Sequence, residues 1–146
     1  MIKNTVGQVE NRMRKPNIAV LGATGVVGRE ILKILVENNV PYNEIKFLAS
    51  AKSAGKKIEF KGEEHTIIEA TPESFEGVNI VLASAGGSTS LKLAPEAVKR
   101  GCVFIDNSSA YRMDKDCPLV IVGVNDNDLK NHKGIIPNPN CSTSQL

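Results

Sequence analysis

The stretch Ile18-Ala19-Val20-Leu21-Gly22-Ala23-Thr24-Gly25-Val26-Val27-Gly28 joins four consecutive apolar residues to three glycines spaced three apart. A short apolar run that ends at glycine is typical of a strand buried on both faces of a parallel sheet. After the glycines, apolar residues recur at three- and four-residue spacing and predict an amphipathic helix that ends near Asn38-Asn39, ahead of Pro41. A glycine-rich turn between such a strand and such a helix is typical of a dinucleotide-binding fold.

The three glycines have different roles in such a loop. Gly22 permits a tight turn out of the strand, Gly25 lets a pyrophosphate approach the backbone, and Gly28 allows the helix to pack closely on the strand. Free amides and the helix dipole at the helix start attract an anion. A plain glycine-rich turn is the alternative. The candidate cofactor contacts are Gly22, Thr24, Gly25, Val26, Val27 and Gly28.

Further strands and helices follow along the chain. Apolar runs predict strands at 45–49, 78–83, 103–105, 119–122 and 135–136, and a weaker pattern predicts a hairpin of 56–60 and 66–68 joined at Gly62. A helix is predicted to end at Arg100-Gly101, with Pro95 kinking or restarting it. This order predicts an α/β fold, a Rossmann-like, doubly wound and mostly parallel sheet that binds ligands at the carboxyl ends of its strands.

The end of the second predicted strand indicates which dinucleotide is bound. An NAD-selective site usually places Asp or Glu there to bind the ribose 2′-hydroxyl, but residues 48–53 read Leu-Ala-Ser-Ala-Lys-Ser. The hydroxyls of Ser50 and Ser53 and the ammonium of Lys52 would instead favour a 2′-phosphate, so NADP is the expected cofactor. An ordinary surface lysine is the alternative for Lys52.

Composition and charge exclude several classes of function. The 146 residues are 41% hydrophobic and 23% charged, with a net charge of +2, which is too mild for a nucleic-acid or membrane-surface partner. No apolar run has signal-peptide or membrane-spanning character, so we expect a cytoplasmic protein. The three cysteines lack metal-ligand spacing, and reduced thiols without a metal site are expected.

Four segments together resemble aspartate-semialdehyde dehydrogenase. They are GATGVVG at 22–28, LASAKSAGK at 48–56, SAGGS at 84–88 with DNSSAYRM at 106–113, and NPNCST at 138–143. The resemblance runs from Asn17 to the end of the chain. It implies an NADP-binding domain at 17–140 and the start of a catalytic domain at 141–146. Residues 1–16 are polar, lack helical or strand periodicity and end at Pro16, which predicts a flexible extension or an added leader.

The resemblance also implies roles for single residues. In the family the cysteine of this motif is the nucleophile, which corresponds to Cys141, and an arginine that corresponds to Arg112 binds the substrate phosphate. Asn107 lies in the same loop as Arg112, and Asn140 would help to position the reacting carbonyl. Ser84, Gly86 and Gly87 would line the cofactor side. An ion pair of Arg112 with Asp114 or Asp116 is the alternative for that arginine.

The implied reaction is the reversible reductive dephosphorylation of aspartyl phosphate to aspartate semialdehyde through a cysteine thioester, in the biosynthesis of lysine, threonine, methionine and isoleucine. The family's catalytic histidine and further substrate residues lie in a following domain that is absent here, so residues 1–146 alone are expected to be inactive. The complete enzyme would be a homo-oligomer acting on a small molecule, without nucleic-acid or membrane partners.

The cysteines and histidines can also be judged without the resemblance. Cys141 precedes Ser142-Thr143-Ser144, a plausible helix start whose amides would lower the thiol pKa. Cys102 is expected to be buried and inert, and Cys117 to be a loop thiol. His65 and His132 do not match the family histidine and are expected to face solvent.

Some features depart from the family pattern. Lys52 stands where relatives commonly have arginine, and Ile121-Val122-Gly123-Val124-Asn125 lacks the usual proline and carboxylate. N-acetyl-γ-glutamyl-phosphate reductase shares the loop and the chemistry but has a different cysteine motif, and glyceraldehyde-phosphate dehydrogenase differs in its glycine loop. A non-catalytic dinucleotide-binding module is the alternative from another class.

Overall fold

A computed structural model describes residues 15–139 of the chain. Its regular elements are β1 (Ile18–Leu21), α1 (Val26–Glu37), β2 (Ile45–Ala49), β3 (Lys57–Phe60), β4 (Glu63–Thr66), β5 (Ile68–Glu69), β6 (Ile80–Ala83), α2 (Gly87–Lys99), β7 (Val103–Asp106) and β8 (Ile135–Pro137). Short 3-10 helices lie at Pro72–Phe75 and Asp126–Asn131. No helix in the part of the chain that the structure describes combines the length and apolar character needed to cross a membrane.

Six strands form one parallel sheet in the order β5-β2-β1-β6-β7-β8. The chain first moves outward from β1 through β2 to β5, and then returns to the other side of β1 to add β6, β7 and β8. All five neighbouring pairs are parallel. The predicted Rossmann-like, doubly wound sheet is therefore confirmed, and the strand order reverses between β1 and β6.

Two apolar layers hold the helices on the sheet. On one face, Leu32 and Leu35 of α1 pack with Val20 and Phe47. On the other face, Leu93 and Ala97 of α2 pack in a cluster that includes Phe104. Each buried Leu or Phe side chain contributes about 1.5–3 kcal/mol of apolar burial. These layers fix the first turns of both helices above the carboxyl end of the sheet.

The predicted hairpin is present, with different bounds for its second strand. Lys61 and Gly62 connect β3 to β4, and both have positive φ (53° and 75°), as the tightest hairpin turns require. The segment predicted at 66–68 divides: Thr66 ends β4, and Ile68 begins β5, which pairs in parallel with β2.

The hairpin packs against the sheet, and this corrects the expectation for His65. Its ring is half-buried, with its centroid 5.0 Å from that of Phe47 and 6.3 Å from that of Phe60. Phe60 is itself buried. The expectation of a solvent-facing His65 was wrong because the hairpin folds back over β2. His132 is also half-buried, and its Nδ1 accepts the Gly134 amide at 3.1 Å.

One predicted strand is absent, and one of the two effects predicted for Pro95 is excluded. Residues 119–122 do not form a strand, because the side chain of Asn125 accepts the Ile121 amide at 2.6 Å and donates to the Leu119 carbonyl at 2.8 Å. These are backbone groups that a strand would pair with its neighbour. Pro95 does not restart the second helix, since α2 is continuous through it.

The predicted domain boundaries fall at or beyond the edges of the described residues. Pro16 is already tied to the fold, because its carbonyl accepts the Asn43 amide at 2.9 Å. The predicted flexible extension before it lies almost wholly outside the described residues, as do Asn140, Cys141 and the segment that follows.

Candidate functional site

The glycine loop between β1 and α1 is held tightly against the neighbouring strands. The Gly22 amide donates to the Leu48 carbonyl at 2.8 Å, and the Gly25 amide donates to the Gly22 carbonyl at 3.1 Å. Gly22 has a φ of +85°, and a Cβ there would lie 2.8 Å from the Ser84 carbonyl oxygen. Only glycine fits this position, because both the conformation and the close approach exclude a side chain.

The start of α1 is open to an anion. A Cβ at Gly28 would collide with the Gly22 carbonyl oxygen, so the absence of a side chain there lets the helix begin close to β1. The N-cap, Gly25, offers no side-chain acceptor to the first turn. The amides of Val26, Val27 and Gly28 cannot find partners inside the helix, and they carry the positive end of its dipole. This is the arrangement that binds phosphate groups.

A cavity of about 460 Å³ lies beside this loop, at the carboxyl ends of β1, β2 and β6. We call it the switch-point crevice, since the strand order reverses there. Five predicted cofactor contacts line it, namely Gly22, Thr24, Gly25, Ser50 and Ser84. Crevices at such a reversal are where open α/β sheets bind their ligands.

Three polar residues that line the crevice were not predicted from the sequence. Thr89 and Lys92 line it from α2, and Glu69 lines it from the end of β5. Thr89 and Lys92 are three residues apart and so lie on one face of α2, a spacing from which both could have been predicted to line the site. Glu69 gave no signal, because it reaches the crevice only through the short pairing of β5 with β2.

The predicted 2′-phosphate residues lie on a tight turn after β2. The Ser50 carbonyl accepts the amides of Ser53 and Ala54 at 2.9 and 3.0 Å, which folds the turn back on itself. Ser50 lines the switch-point crevice and Ser53 lines a second cleft next to it. Lys52 is exposed and lines neither of them.

The second cleft, of about 670 Å³, lies between α1 and the β3–β4 hairpin. Five residues with cationic side chains line it, namely Arg29, Lys33, Lys56, Lys57 and Lys61. Glu59 is the one carboxylate in this lining. We call it the basic cleft. Thr24 lines both it and the switch-point crevice, so the two cavities adjoin at the glycine loop.

The segment after β6 forms the opposite wall of the crevice. The Ser84 amide donates to the Leu21 carbonyl at 2.9 Å, which joins this segment to the end of β1. Gly86 has a φ of +91° and is the N-cap of α2, which Gly87 begins. Gly86 and Gly87 thus start a second helix at the same edge of the sheet, and neither lines the crevice itself.

The two predicted substrate residues within the described part of the chain are connected to each other. The Arg112 guanidinium donates through Nε to the Asn138 carbonyl at 2.8 Å and through Nη2 to the Asn107 carbonyl at 2.9 Å. The Asn138 side chain donates to Asn107 Oδ1 at 3.3 Å. Arg112 thus ties the ends of β7 and β8 together, and its remaining N–H groups, which have no partner within residues 15–139, could bind an oxyanion.

The alternative ion pair for Arg112 is absent among the described residues. Asp116 instead lies 3.4 Å from the Lys133 ammonium, and Asp114 accepts the Asp116 amide at 2.9 Å.

A small cavity of about 210 Å³, lined mainly by apolar side chains, brings Val27 of the glycine loop together with Asn107 and Asn138. Val26, by contrast, is 84% exposed.

A fully buried carboxylate organises the loop that carries Asn107 and Arg112. Asp106 accepts the Ser90 hydroxyl at 2.9 Å, the Ser108 amide at 2.9 Å and the Ser108 hydroxyl at 2.7 Å. Asp106 was not predicted as a site residue, although an aspartate two residues before a serine at a strand end is a turn signal. Asp106 therefore connects α2 to the loop after β7.

The two described cysteines are buried. Burial raises the pKa of the Cys102 thiol, which lies 3.0 Å from the Val78 carbonyl. Burial, followed by the nearby charges of Asp114 and Asp116, raises the pKa of Cys117. Both are inert thiols by this criterion. Within residues 15–139, no group of three or more His, Cys, Asp or Glu side chains is arranged to hold a metal ion.

Comparisons with known proteins agree with this geometry. A family model described as the NAD-binding domain of semialdehyde dehydrogenase matches residues 17–132. Aspartate-semialdehyde dehydrogenase from Bacillus subtilis (strain 168) is 58% identical over 130 residues, which are 89% of this chain and 38% of that relative.

Solved structures give the same result. Aspartate semialdehyde dehydrogenase II from Vibrio cholerae superposes with a TM-score of 0.86 at 42% identity, over 90% of this chain and 40% of that one. The aspartate semialdehyde dehydrogenase of Candida albicans, solved with NADP, superposes with a TM-score of 0.72 at 27% identity, over 90% of this chain and 44% of that one.

The chain spans about 38% of the length of its Bacillus relative. The family match covers the glycine loop, the reversal of strand order and the loop that carries Arg112. The chain therefore belongs to the semialdehyde dehydrogenase family and contains its NAD-binding domain.

Proposed function

We propose that this chain is the nucleotide-binding part of an NADP-dependent aspartate-semialdehyde dehydrogenase. The complete protein would convert L-aspartyl-4-phosphate to L-aspartate-4-semialdehyde. The observation that carries the proposal is the 58% identity to a relative of that name over 130 residues. N-acetyl-γ-glutamyl-phosphate reductase is the alternative enzyme, and the segment 138–143 argues against it because it differs from the motif of that family.

The glycine loop fits the pyrophosphate of the cofactor. Gly22 and Gly28 leave no room for a side chain, and the first-turn amides of α1 face the anion-binding end of the helix. Thr24, Gly25, Val26 and Val27 would contact the same group. Ser84 would face the cofactor from the opposite wall of the crevice, and Gly86 and Gly87 would contact it through the start of α2 at the same edge of the sheet. These residues bind and orient the cofactor, which supplies a hydride to the substrate when bound.

NADP is the proposed form of the cofactor. The turn after β2 offers the hydroxyls of Ser50 and Ser53 and the ammonium of Lys52, with no carboxylate between positions 48 and 57. Glu69 lines the crevice from the next strand, where it could accept a hydrogen bond from a ribose hydroxyl. The Candida relative solved with NADP supports the same choice.

Cys141 is the proposed nucleophile. Its thiolate sulfur attacks the acyl carbon of aspartyl phosphate, the bond from that carbon to the phosphate oxygen breaks, and a thioester and inorganic phosphate result. After hydride addition to the thioester carbon, the oxyanion re-forms the carbonyl and expels the Cys141 thiolate, which leaves the aldehyde. Neither bond change at sulfur requires a proton from the described residues.

Arg112 would bind the substrate phosphate, with Asn107 and Asn140 beside it. Its guanidinium is fixed by the Asn107 and Asn138 carbonyls, and Asn138 precedes Cys141 by three positions. A guanidinium held by two hydrogen bonds keeps its fork geometry, which suits an oxyanion. Nucleophile and phosphate site would then be neighbours.

We further propose that residues 1–16 are a flexible extension, that 17–140 form the NADP-binding domain, and that 141–146 begin the catalytic domain. The complete enzyme would be a cytoplasmic homo-oligomer without nucleic-acid or membrane partners. Residues 1–146 alone would bind the cofactor without catalysing the reaction.

The test uses the complete protein. Aspartate semialdehyde and phosphate should drive the reduction of NADP, and Cys141→Ser should abolish this while the dissociation constant for NADP stays unchanged. The matched control is Cys117→Ser, which should retain the activity. Turnover of N-acetylglutamate semialdehyde in place of aspartate semialdehyde would favour the alternative enzyme. NADP binding without either activity would favour a non-catalytic module.

A further inference from the structure

We propose that Arg29 and Lys56 bind the 2′-phosphate of NADP in the basic cleft. This assignment adds two specificity-determining residues to the serine turn after β2, and it rests on the proposed use of NADP. Neither residue was a candidate in the sequence analysis, because they are 27 positions apart (56 minus 29) and only the folded hairpin brings them to one cavity.

Three of the five cations in the basic cleft already interact with other groups. Lys33 lies 3.8 Å from Glu37, Lys57 donates to the Thr66 hydroxyl at 2.7 Å, and the Lys61 ammonium lies 4.7 Å from the centre of the Tyr42 ring. Within residues 15–139, Arg29 and Lys56 make no ion pair and no side-chain hydrogen bond. Their charges are therefore available to a ligand.

The position of Arg29 on α1 also points to an anion. It is the fourth residue of the helix, directly after Gly28, and the first turn contains no acidic residue. A cation so close to a helix N-terminus interacts unfavourably with the helix dipole unless an anion offsets it. An anionic ligand beside this turn would remove that cost and gain the guanidinium as a donor.

The turn after β2 connects the crevice to the basic cleft at the point where a ribose would lie. Ser50 lines the crevice and Ser53 lines the cleft, and they are joined by the hydrogen bond from the Ser53 amide to the Ser50 carbonyl. A ribose seated at the end of β2, as in related sheets, would direct its 2′ substituent past Ser53 into the cleft.

Lys56 is fixed next to the same turn. Its amide donates to the Ser53 carbonyl at 3.2 Å, and its carbonyl accepts the Ile67 amide at 2.9 Å. The backbone at Lys56 is thus held by both the turn and Ile67, and Lys56 is one of the residues that line the cleft. Arg29 from the helix and Lys56 from the turn would approach the phosphate from opposite walls.

The experiment measures dissociation constants for NADP and NAD by calorimetry on the complete protein. Arg29→Gln and Lys56→Gln should each weaken NADP binding by about tenfold and leave NAD binding within about twofold. The matched controls are Lys33→Gln and Lys57→Gln, which remove the same charge from the same cleft. Both should bind NADP as the unaltered protein does. The pair 2′,5′-ADP and 5′-AMP should show the same split, without the nicotinamide.

The possible failures are distinguishable. If both variants bind NADP normally and Lys52→Gln carries the loss, the assignment to Arg29 and Lys56 is wrong but the NADP preference stands. If the unaltered protein binds NAD as tightly as NADP, the proposed cofactor itself is wrong. If Arg29→Gln and Lys56→Gln weaken the binding of NADP and NAD equally, the assignment is overturned. It is also overturned if the control variants weaken NADP binding as much as these two do, because the cleft would then act only through its total charge.

Discussion

Replacing Gly22 by alanine would add a methyl group where the chain leaves no space. The new Cβ would lie 2.8 Å from the Ser84 carbonyl oxygen and 2.9 Å from the carbonyl carbon, and both are backbone atoms that cannot rotate away. The residue would also have to keep a φ of +85°. The left-handed conformation costs about 1–2 kcal/mol and the overpacking about 1–3 kcal/mol, so the free energy of unfolding should fall by about 2–5 kcal/mol.

Gly101→Ala separates these two terms. Gly101 has the same φ of +85°, but a Cβ there has no atom within 4 Å, and it lies before β7 at the opposite edge of the sheet. This control should cost only the conformational part, about 1–2 kcal/mol. Urea unfolding of both variants gives the two free energies directly.

The same substitution should affect the binding of the cofactor. Relief of the contact with Ser84 requires β1 and β6 to separate at their carboxyl ends, which would widen the crevice and displace the glycine loop. NADP should therefore bind more weakly to Gly22→Ala, whereas Gly101→Ala should bind it normally. Equal losses of stability in the two variants, with unchanged NADP affinity in both, would refute the close approach of Gly22 to Ser84.

Three further outcomes are expected. Asp106→Ala should lower the free energy of unfolding by about 2–4 kcal/mol, because it leaves the buried Ser90 hydroxyl without its acceptor. Urea unfolding measures this loss, and a value below about 1 kcal/mol would contradict the prediction. Burial raises the pKa of Cys102 and Cys117 in the folded protein, so the unfolded chain loses these two protons at a lower pH. The free energy of unfolding should therefore fall as the pH rises above about 8.5. Urea titrations from neutral to alkaline pH measure this, and a free energy that stays constant or rises with pH would contradict the prediction. In the complete protein Cys141 should be alkylated fastest of the three cysteines, as peptide mass spectrometry can measure; faster reaction at Cys102 would remove Cys141 as the nucleophile.

The parts of the fold that follow from local pattern could be predicted from the sequence. The apolar run at 18–21 and the glycines after it predict a strand, a turn and a helix from neighbouring residues alone. The positions of β1 and α1 agree with this prediction. The strands at 45–49 and 103–105 are similar cases, because a buried parallel strand is apolar along its whole length.

Other features depend on contacts between distant residues. The run at 119–122 is as apolar as a strand, but the side chain of Asn125 takes up its backbone groups. The burial of His65 depends on where the hairpin lies, and the basic cleft forms only when α1 and the hairpin meet. The periodicity of apolar residues contains no information about such tertiary contacts. The switch-point crevice could therefore be predicted from the glycine motif, whereas the basic cleft could not.

The strand order has a consequence for how the chain acquires its structure. Ile18 pairs with Ile45 on one side and with Ile80 on the other, so the central strand lacks one neighbour until the chain has extended past β6. Parallel pairs require long crossovers, and such distant pairings make folding slow. During synthesis, β1 and β2 leave the ribosome well before β6 does, and an apolar, half-paired strand is prone to aggregate in that interval. One side of β1 therefore stays exposed to such contacts until Ala83, the last residue of β6, has emerged.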